Sequence, residues 1–307
     1  MASLDVFVSL SVGDDLLHIR PPPNELRPMR IAFQGEAGAY SEAAALRLNA
    51  SADVLACPAF DDVFAAVERQ EATHGILPIE NTIGGTIHRN YDLLLEHELT
   101  IVAEVKLAVV HHLIVTPGTR LDQIRRVYSH PQGLAQCEGF LRTLTDAEIV
   151  ATYDTAGSAK MIKEKALADS AAIASEQAAD NFGLEIIQSA IQDYADNRTR
   201  FLVVSKQGVS LGPPDKTTIV FTVPNEAGAL FKALSVFSLR DIDLTKLESR
   251  PIPSRPFEYL FYADLIANRE DLRCARALMH LAEFAPLLRT LGSYPAWREP
   301  DSSPSQQ

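Results

Sequence analysis

The hydrophobic positions of this chain follow two rhythms that alternate along most of its length. Short runs rich in β-branched residues, of the kind that fill doubly covered strands, are followed by stretches where apolar residues recur every three or four positions, as on one side of a helix. RIAFQG (30–35) reads as a strand, and SEAAALRL (41–48) as a helix with Ser41 as its N-cap. DVLACP (53–58) and DDVFAAVERQ (61–70) repeat the pair, with Val63, Phe64 and Val67 on one helical face. HGILPIEN (74–81) is again a strand, and the long apolar segment 99–115 divides into two extended pieces. Beyond it the pattern predicts a strand at 125–130, a helix at 131–144 with Pro131 in its first turn, and a strand at 148–153. Two helices then flank a strand at 170–174, and a strand at 199–206 closes the run. Strands alternating with helices of this length predict an α/β fold with sheet faces covered by helices over residues 30–206.

The rhythm changes after a break. Gly208, Gly212, Pro213 and Pro214 crowd one short stretch and predict a linker at 207–215. The C-terminal segment reads strand 217–223, helix 228–241, strands 244–252 and 257–267, helix 269–284 and strand 289–295. That βαββαβ order predicts a small ferredoxin-like domain over 216–296. Pro21, Pro22, Pro23 and Pro28 mark 1–29 as an N-terminal extension, with Met29 as an alternative start, and 297–307 reads as a disordered tail.

Composition narrows the partners more than the fold. The 307 residues are 47% hydrophobic, and 28 basic against 40 acidic side chains give a formal charge of −12. Such a balance argues against nucleic acid or an anionic membrane as a partner, because polyanions are met by basic surfaces. Cys57, Cys137 and Cys274 lie far apart, which suits buried thiols in a reducing compartment. No apolar stretch is long enough to span a bilayer, and Asp5 sits where a secretory signal carries basic charge, so the expected location is cytoplasmic. His111-His112 does not read as a metal pair: neighbours on a strand face opposite ways, which predicts one core and one surface histidine. Gly35-Glu36-Ala37-Gly38 reads as a strand–helix turn rather than a nucleotide loop.

Four segments carry more polarity than packing needs. Residues 78–86, Pro-Ile-Glu-Asn-Thr-Ile-Gly-Gly-Thr, fit either an anion site built on backbone N–H groups or a turn with Thr86 as a helix cap. Ser129-His130-Pro131-Gln132 and Asp154-Thr155-Ala156-Gly157-Ser158 stand at two further strand-to-helix junctions, the second equally readable as a simple cap. Asn197-Arg198-Thr199-Arg200-Phe201 leads into the closing strand, where Arg200 is either a surface charge or a part-buried partner of an anion. Polar strand ends of this kind converge on a crevice at the carboxyl edge of a sheet.

In these motifs the chain resembles the prephenate dehydratases and the similar arogenate dehydratases of phenylalanine biosynthesis. AFQGEAGAYSE, LPIENTIGGTIHRNYDLL, SHPQGLAQC, DTAGSA and NRTRF occur in the family's order, and the likeness runs from about Arg30 to Pro295. NEAGALF and LTKLESRP are similar to the phenylalanine-binding motifs of the family's ACT regulatory domain. Thr82 stands where Ser is usual, and Phe231 ends the Gly-Ala-Leu motif.

The resemblance implies a two-lobed catalytic region like the periplasmic binding proteins, with the site between the lobes, plus the ACT domain. It implies loss of carbon dioxide and water from prephenate, with arogenate as the alternative substrate, and no metal or other cofactor. Thr199 is then the hydroxyl aimed at the leaving oxygen, and Arg200 a carboxylate clamp or an orienter behind the site. Asn81, Thr82, Gly85, Thr86, Gln132 and Thr155 would line the cleft and Phe201 pack its wall, with Glu80 and His130 as secondary candidates. Asn225, Gly228, Ala229, Leu230, Glu248, Ser249 and Arg250 would bind L-phenylalanine as an effector at an interface in a homodimer or homotetramer. The rival from another class is a non-catalytic amino-acid sensor on the same fold.

Overall fold

The computed structural model describes residues 28–252 and 255–299; most of the predicted extension and tail lies outside them. The first lobe runs β1 (Arg30–Gln34), α1 (Tyr40–Leu48), β2 (Asp53–Cys57), α2 (Phe60–Glu68), β3 (His74–Asn81), β4 (Gly85–Thr86), α3 (His88–Glu96) and β5 (Thr100–Ala108). The second lobe holds β6 (His112–Val115), a 3-10 turn (Leu121–Gln123), β7 (Arg126–Ser129), α4 (Pro131–Ala135) and α5 (Glu138–Leu141). It continues through β8 (Glu148–Ala151), α6 (Thr155–Glu164), β9 (Ser170–Ala174), α7 (Glu176–Phe182) and β10 (Glu185–Gln188). The chain returns to the first lobe as β11 (Arg198–Ser205). The third unit is β12 (Lys216–Thr222), α8 (Ala229–Ser238), β13 (Leu244–Ile252), β14 (Arg255–Leu265), α9 (Leu272–Ala282) and β15 (Leu288–Tyr294).

These strands make three sheets, ordered β2-β1-β3-β11-β5 with β4 beside β3, β10-β6-β9-β7-β8, and β13-β14-β12-β15. The first two form a pair of α/β lobes crossed twice by the chain, in the manner of periplasmic binding proteins, and the third is the ferredoxin-like βαββαβ unit. β11 runs antiparallel between β3 and β5, so the last strand of the two-lobed region lies inside the first sheet rather than at its edge. One face of that sheet packs on α1 and the second lobe, burying Phe33, Ile76, Phe201 and Val203. The other face packs on α2, α3 and the third sheet, burying Phe64, Tyr91, Leu202, Val220 and Tyr294.

Three local expectations fail for identifiable reasons. Helix α1 starts at Tyr40 and is capped by Ala39 without a side-chain bond, leaving Ser41 inside the first turn. The predicted helix 131–144 is broken after Ala135, where Cys137 leaves helical geometry (φ −121°, ψ 21°) and Gln136 turns its amide into the protein. The segment 78–86 does not use Thr86 as a cap; the chain doubles back as β4, and α3 begins only at His88. β10, a short and half-exposed edge strand, had no signal in the hydrophobic pattern. The predicted tail is ordered at its start: Trp297 N donates to Glu104 Oε1 (2.8 Å), and Glu299 bridges Arg47 and Arg198.

Candidate active site

A cavity of about 540 Å³ lies between the two lobes. Tyr40, Asn81, Thr199 and Phe201 reach it from the first lobe, and His111, His130, Gln132, Gln136, Asp154 and Thr155 from the second. The first sheet supplies its side by strict alternation, since successive strand residues face opposite ways. Thr199 pairs with Asn81 across the β11–β3 ladder, and both side chains face the cavity. One residue on, Arg200 pairs with Glu80, and that row faces the third sheet.

That single alternation corrects several expectations. Arg200 is no substrate clamp. Its guanidinium is buried and already engaged by Glu104 (Nε to Oε2, 2.6 Å), Asp264 and the Tyr294 hydroxyl (3.1 Å). Glu80 also points away from the cleft, to Lys246 Nζ at 3.2 Å. Thr86 pairs with Glu80 in the β3–β4 ladder and shares its face, its hydroxyl donating to Glu248 Oε2 (2.9 Å). Thr82 is exposed and ties the turn to the start of β11, donating to Asp196 O (2.9 Å) and accepting from Arg198 N (3.0 Å). Gly85 is exposed too, and its φ of +76° is the reason for glycine there.

Behind the sheet the charges form a closed group. Glu104 and Asp264 face Arg200 and Lys216, with Thr218 and Tyr294 completing the hydrogen bonds, and all six are at most 8% exposed. Burial pushes the Glu104 carboxyl up, but Arg200 and Lys216 outweigh it and hold that group below the usual carboxylate range. This cluster joins β5 and β11 of the first lobe to β12, β14 and β15 of the third unit.

On the cleft side the polar groups are mostly amides and hydroxyls. Asn81 Nδ2 donates to Thr199 Oγ1 (3.0 Å) and to Asn197 Oδ1 (2.7 Å). Asn197 Nδ2 donates to Gln136 Oε1 (2.9 Å), which also meets His111 Nε2 (2.8 Å). His111, one of an adjacent pair expected to divide between core and surface, is 2% exposed yet borders the cavity, and burial lowers its pKa. His130 caps α4, its Nδ1 accepting from Gln132 N (3.2 Å), and Asp154 caps α6 through Gly157 N (3.0 Å). Tyr40, His111, Gln136 and Asp154 were not among the expected site residues. Three stand in the family motifs AYSE, HPQGLAQ and DTAG, but no periodicity says that their side chains turn inward.

Comparison with known proteins decides the family. A family model described as prephenate dehydratase matches residues 31–209. Arogenate dehydratase/prephenate dehydratase 2, chloroplastic, of Arabidopsis thaliana is 50% identical over 280 residues, covering 87% of this chain and 73% of that protein. The chain belongs to the prephenate dehydratase family.

Among solved structures, the prephenate dehydratase of Arthrobacter aurescens in complex with L-Phe is similar with a TM-score of 0.79 at 31% identity, covering 87% of this chain and 89% of that one. GqqA, described as a novel type of quorum-quenching acylase, reaches 0.80 at 36% identity, covering 87% and 98%. As a prephenate dehydratase family member the chain is a carbon–oxygen lyase of phenylalanine biosynthesis, which sets the sensor reading aside. Among the described residues no group of three or more His, Cys, Asp or Glu is placed to hold a metal, and no helix is long and apolar enough to cross a membrane. In the third unit the same alternation separates the expected effector residues. Glu248 and Arg250 face the first lobe, contacting Thr86 and Asp92 (Arg250 Nη2 to Oδ2, 2.7 Å). Ser249 lies on the opposite face in a row with Phe261 and Phe221, at the end of the sheet where Gly228 opens α8.

Proposed function

We propose that this enzyme acts on L-arogenate, giving L-phenylalanine, in preference to prephenate, the substrate the sequence put first. The observation that carries this reading is the charge of the cleft. Among the described residues lining it there is no lysine or arginine, while Asp154 stands at its edge with one oxygen on Gly157 N and the other beside the Gly35 turn. Burial raises the Asp154 pKa, so a cation beside it is favoured. The other carboxylate there, Asp61, is already paired with Arg89. Arogenate carries an ammonium where prephenate has a keto group, and only the ammonium uses Asp154. The Arabidopsis relative, an arogenate dehydratase/prephenate dehydratase, supports a role for arogenate.

The reaction needs little beyond placement. The bond to the ring carboxylate breaks and its electron pair enters the ring. The C–O bond then breaks toward oxygen, which leaves as water once it has taken a proton. The substrate's carboxylates meet N–H groups at the first turn of α1, Phe201 packs the ring, and Thr199 hydrogen-bonds the departing oxygen. Asn81, Gln132 and Thr155 line this pocket; His130 serves as a cap. An acylase reading has no support in the cleft, where among the described residues no serine or cysteine hydrogen-bonds a histidine or carboxylate.

Steady-state kinetics on both substrates test the preference. A charge-assisted hydrogen bond is worth about 1.5–3 kcal/mol, so kcat/KM for arogenate should exceed that for prephenate by about tenfold to hundredfold. Asp154→Asn keeps the cap and should remove most of that margin. Equal or better use of prephenate by the wild-type protein sinks the reading.

We also infer that the third unit is an ACT domain that lowers activity on binding L-phenylalanine, as the ligand of the Arthrobacter relative suggests. Gly228, with φ +81°, Ala229, Leu230, Asn225 and Ser249 are the candidate contacts; Glu248 and Arg250 are taken by the first lobe. β13 is an edge strand with Leu247 at 42% exposure, which supports a homodimer or homotetramer closing over that edge. L-phenylalanine should inhibit without competing at the cleft, and Gly228→Val or Ser249→Phe should abolish the response while sparing kcat. No heat of L-phenylalanine binding to the intact protein would rule this out. The three free, buried cysteines, with the Cys137 thiol pushed up to about 12 by burial, support a reducing compartment, for which a cytoplasmic site remains our reading.

A further inference from the structure

The amides behind Thr199 have a fixed polarity that can be traced outward from the backbone. Backbone N–H groups only donate. Ile83 N and Gly84 N both donate to one side-chain atom of Asn81, at 3.0 and 2.7 Å, so that atom is the amide oxygen. The atom facing Thr199 and Asn197 is therefore the NH2. Its Asn197 partner, at 2.7 Å, must be an oxygen, which turns the Asn197 NH2 toward Gln136. The Gln136 atom there must be an oxygen in turn, and its own NH2 points back to the Asn81 oxygen at 3.3 Å, closing the ring consistently. That same Gln136 oxygen is 2.8 Å from His111 Nε2, so Nε2 carries a proton.

This polarity constrains two groups that border the cavity. Thr199 receives a proton from Asn81, its one hydrogen-bond partner among the described residues, and so its own hydroxyl proton is unspent. A neutral His111 has its lone pair on Nδ1, 3.1 Å from the Tyr40 hydroxyl. The Tyr40 proton goes to that nitrogen or to the Val110 carbonyl, in either case away from the substrate.

We propose that Asn197 and Gln136 are positioning residues: the backbone of Ile83 and Gly84 sets the polarity of the Asn81 amide, and Asn197 and Gln136 hold that amide in place so that Thr199 offers a proton, not a lone pair, to the departing oxygen, and pass the same polarity on to His111, held as its Nε2–H tautomer. The inference rests on the dehydration reading for its purpose but not for its geometry. Asn197 is fully buried and Gln136 is 5% exposed, so water does not compete for these bonds.

The direct test is 15N correlation spectroscopy of histidine-labelled protein without substrate, with the His111 signals assigned by their loss in His111→Asn. The expected pattern is the Nε2–H tautomer; an Nδ1–H tautomer overturns the proposal. Asn197→Asp puts an oxygen where the NH2 faced Gln136, forcing that amide to turn its own NH2 toward His111. The tautomer should then switch, and kcat should fall by about tenfold to hundredfold with KM within about threefold, the pattern of a misaimed donor. Gln136→Met, which keeps volume, should lower kcat in the same way. A folded Asn197→Asp with wild-type kcat, or a loss confined to KM, refutes the positioning role. The spectrum of the wild-type protein decides the polarity even if neither variant folds. Absence of dehydratase activity in the wild type would count against the function alone and leave the tautomer result standing.

Discussion

Thr199→Ala is expected to lower kcat by about 10²–10⁴, the range for a positioned proton donor, with little loss of stability. The reason for the small structural cost is the arithmetic of Asn81: its two amide protons face three oxygens, on Asn197, Arg198 and Thr199, so removing one leaves none of the protons unmet. Thr199→Ser keeps the hydroxyl and should retain much more activity. Thr199→Val keeps the shape without the hydroxyl and should resemble alanine. Product formation from arogenate and prephenate, followed for all three variants, is the measurement. Wild-type turnover by the valine variant would remove Thr199 from the chemistry.

The second large effect is expected at the buried charges between the catalytic region and the third unit. Asp264→Ala leaves Arg200 and Lys216 facing Glu104 alone, an excess positive charge among side chains at most 8% exposed. Breaking one partner out of such a group costs about 3–5 kcal/mol, and urea unfolding should show a loss of that size. Arg200→Met combined with Asp264→Leu removes one charge of each sign and should recover the greater part. The group also predicts a pH dependence. Glu104 has a folded pKa held below its unfolded value, so its contribution is fully present above the ordinary carboxylate range and is lost as pH falls from that range through the lowered folded pKa. Because the cluster shares β11 with Thr199, these variants should also weaken inhibition by L-phenylalanine. If Arg200→Met instead left stability unchanged and raised only KM, the clamp role would return.

Much of the architecture was legible in the order of hydrophobic runs. The alternating unit, the break near 207–215 and the βαββαβ order come from periodicity and from where Gly and Pro interrupt it, because those preferences act over a few residues at a time. Motif identity carried the family and placed Asn81, Gln132, Thr155, Thr199 and Phe201 in segments that do meet at one cavity. The direction of each side chain within those motifs was another matter. Consecutive residues of NRTRF belong to different environments, Thr199 in the cleft and Arg200 in the contact with the third unit. The sequence marks both as polar residues in one apolar strand, and the pleat separates them only once β3 and β5 fix which face is which.

The same holds for Glu80 and Thr86, whose face is set by their pairing, and for Glu248 and Arg250, which are turned toward the first lobe by the bulged β13–β14 register. Asn81 and Gln136 are 55 residues apart and meet at 3.3 Å only because the second lobe closes on the first. Local propensity and motif composition are properties of neighbouring residues, so the sequence by itself determined the elements, their order and the chemical inventory. Which inventory faces the cleft and which faces the third unit depends on contacts between residues far apart in the chain, and only the tertiary structure decided it.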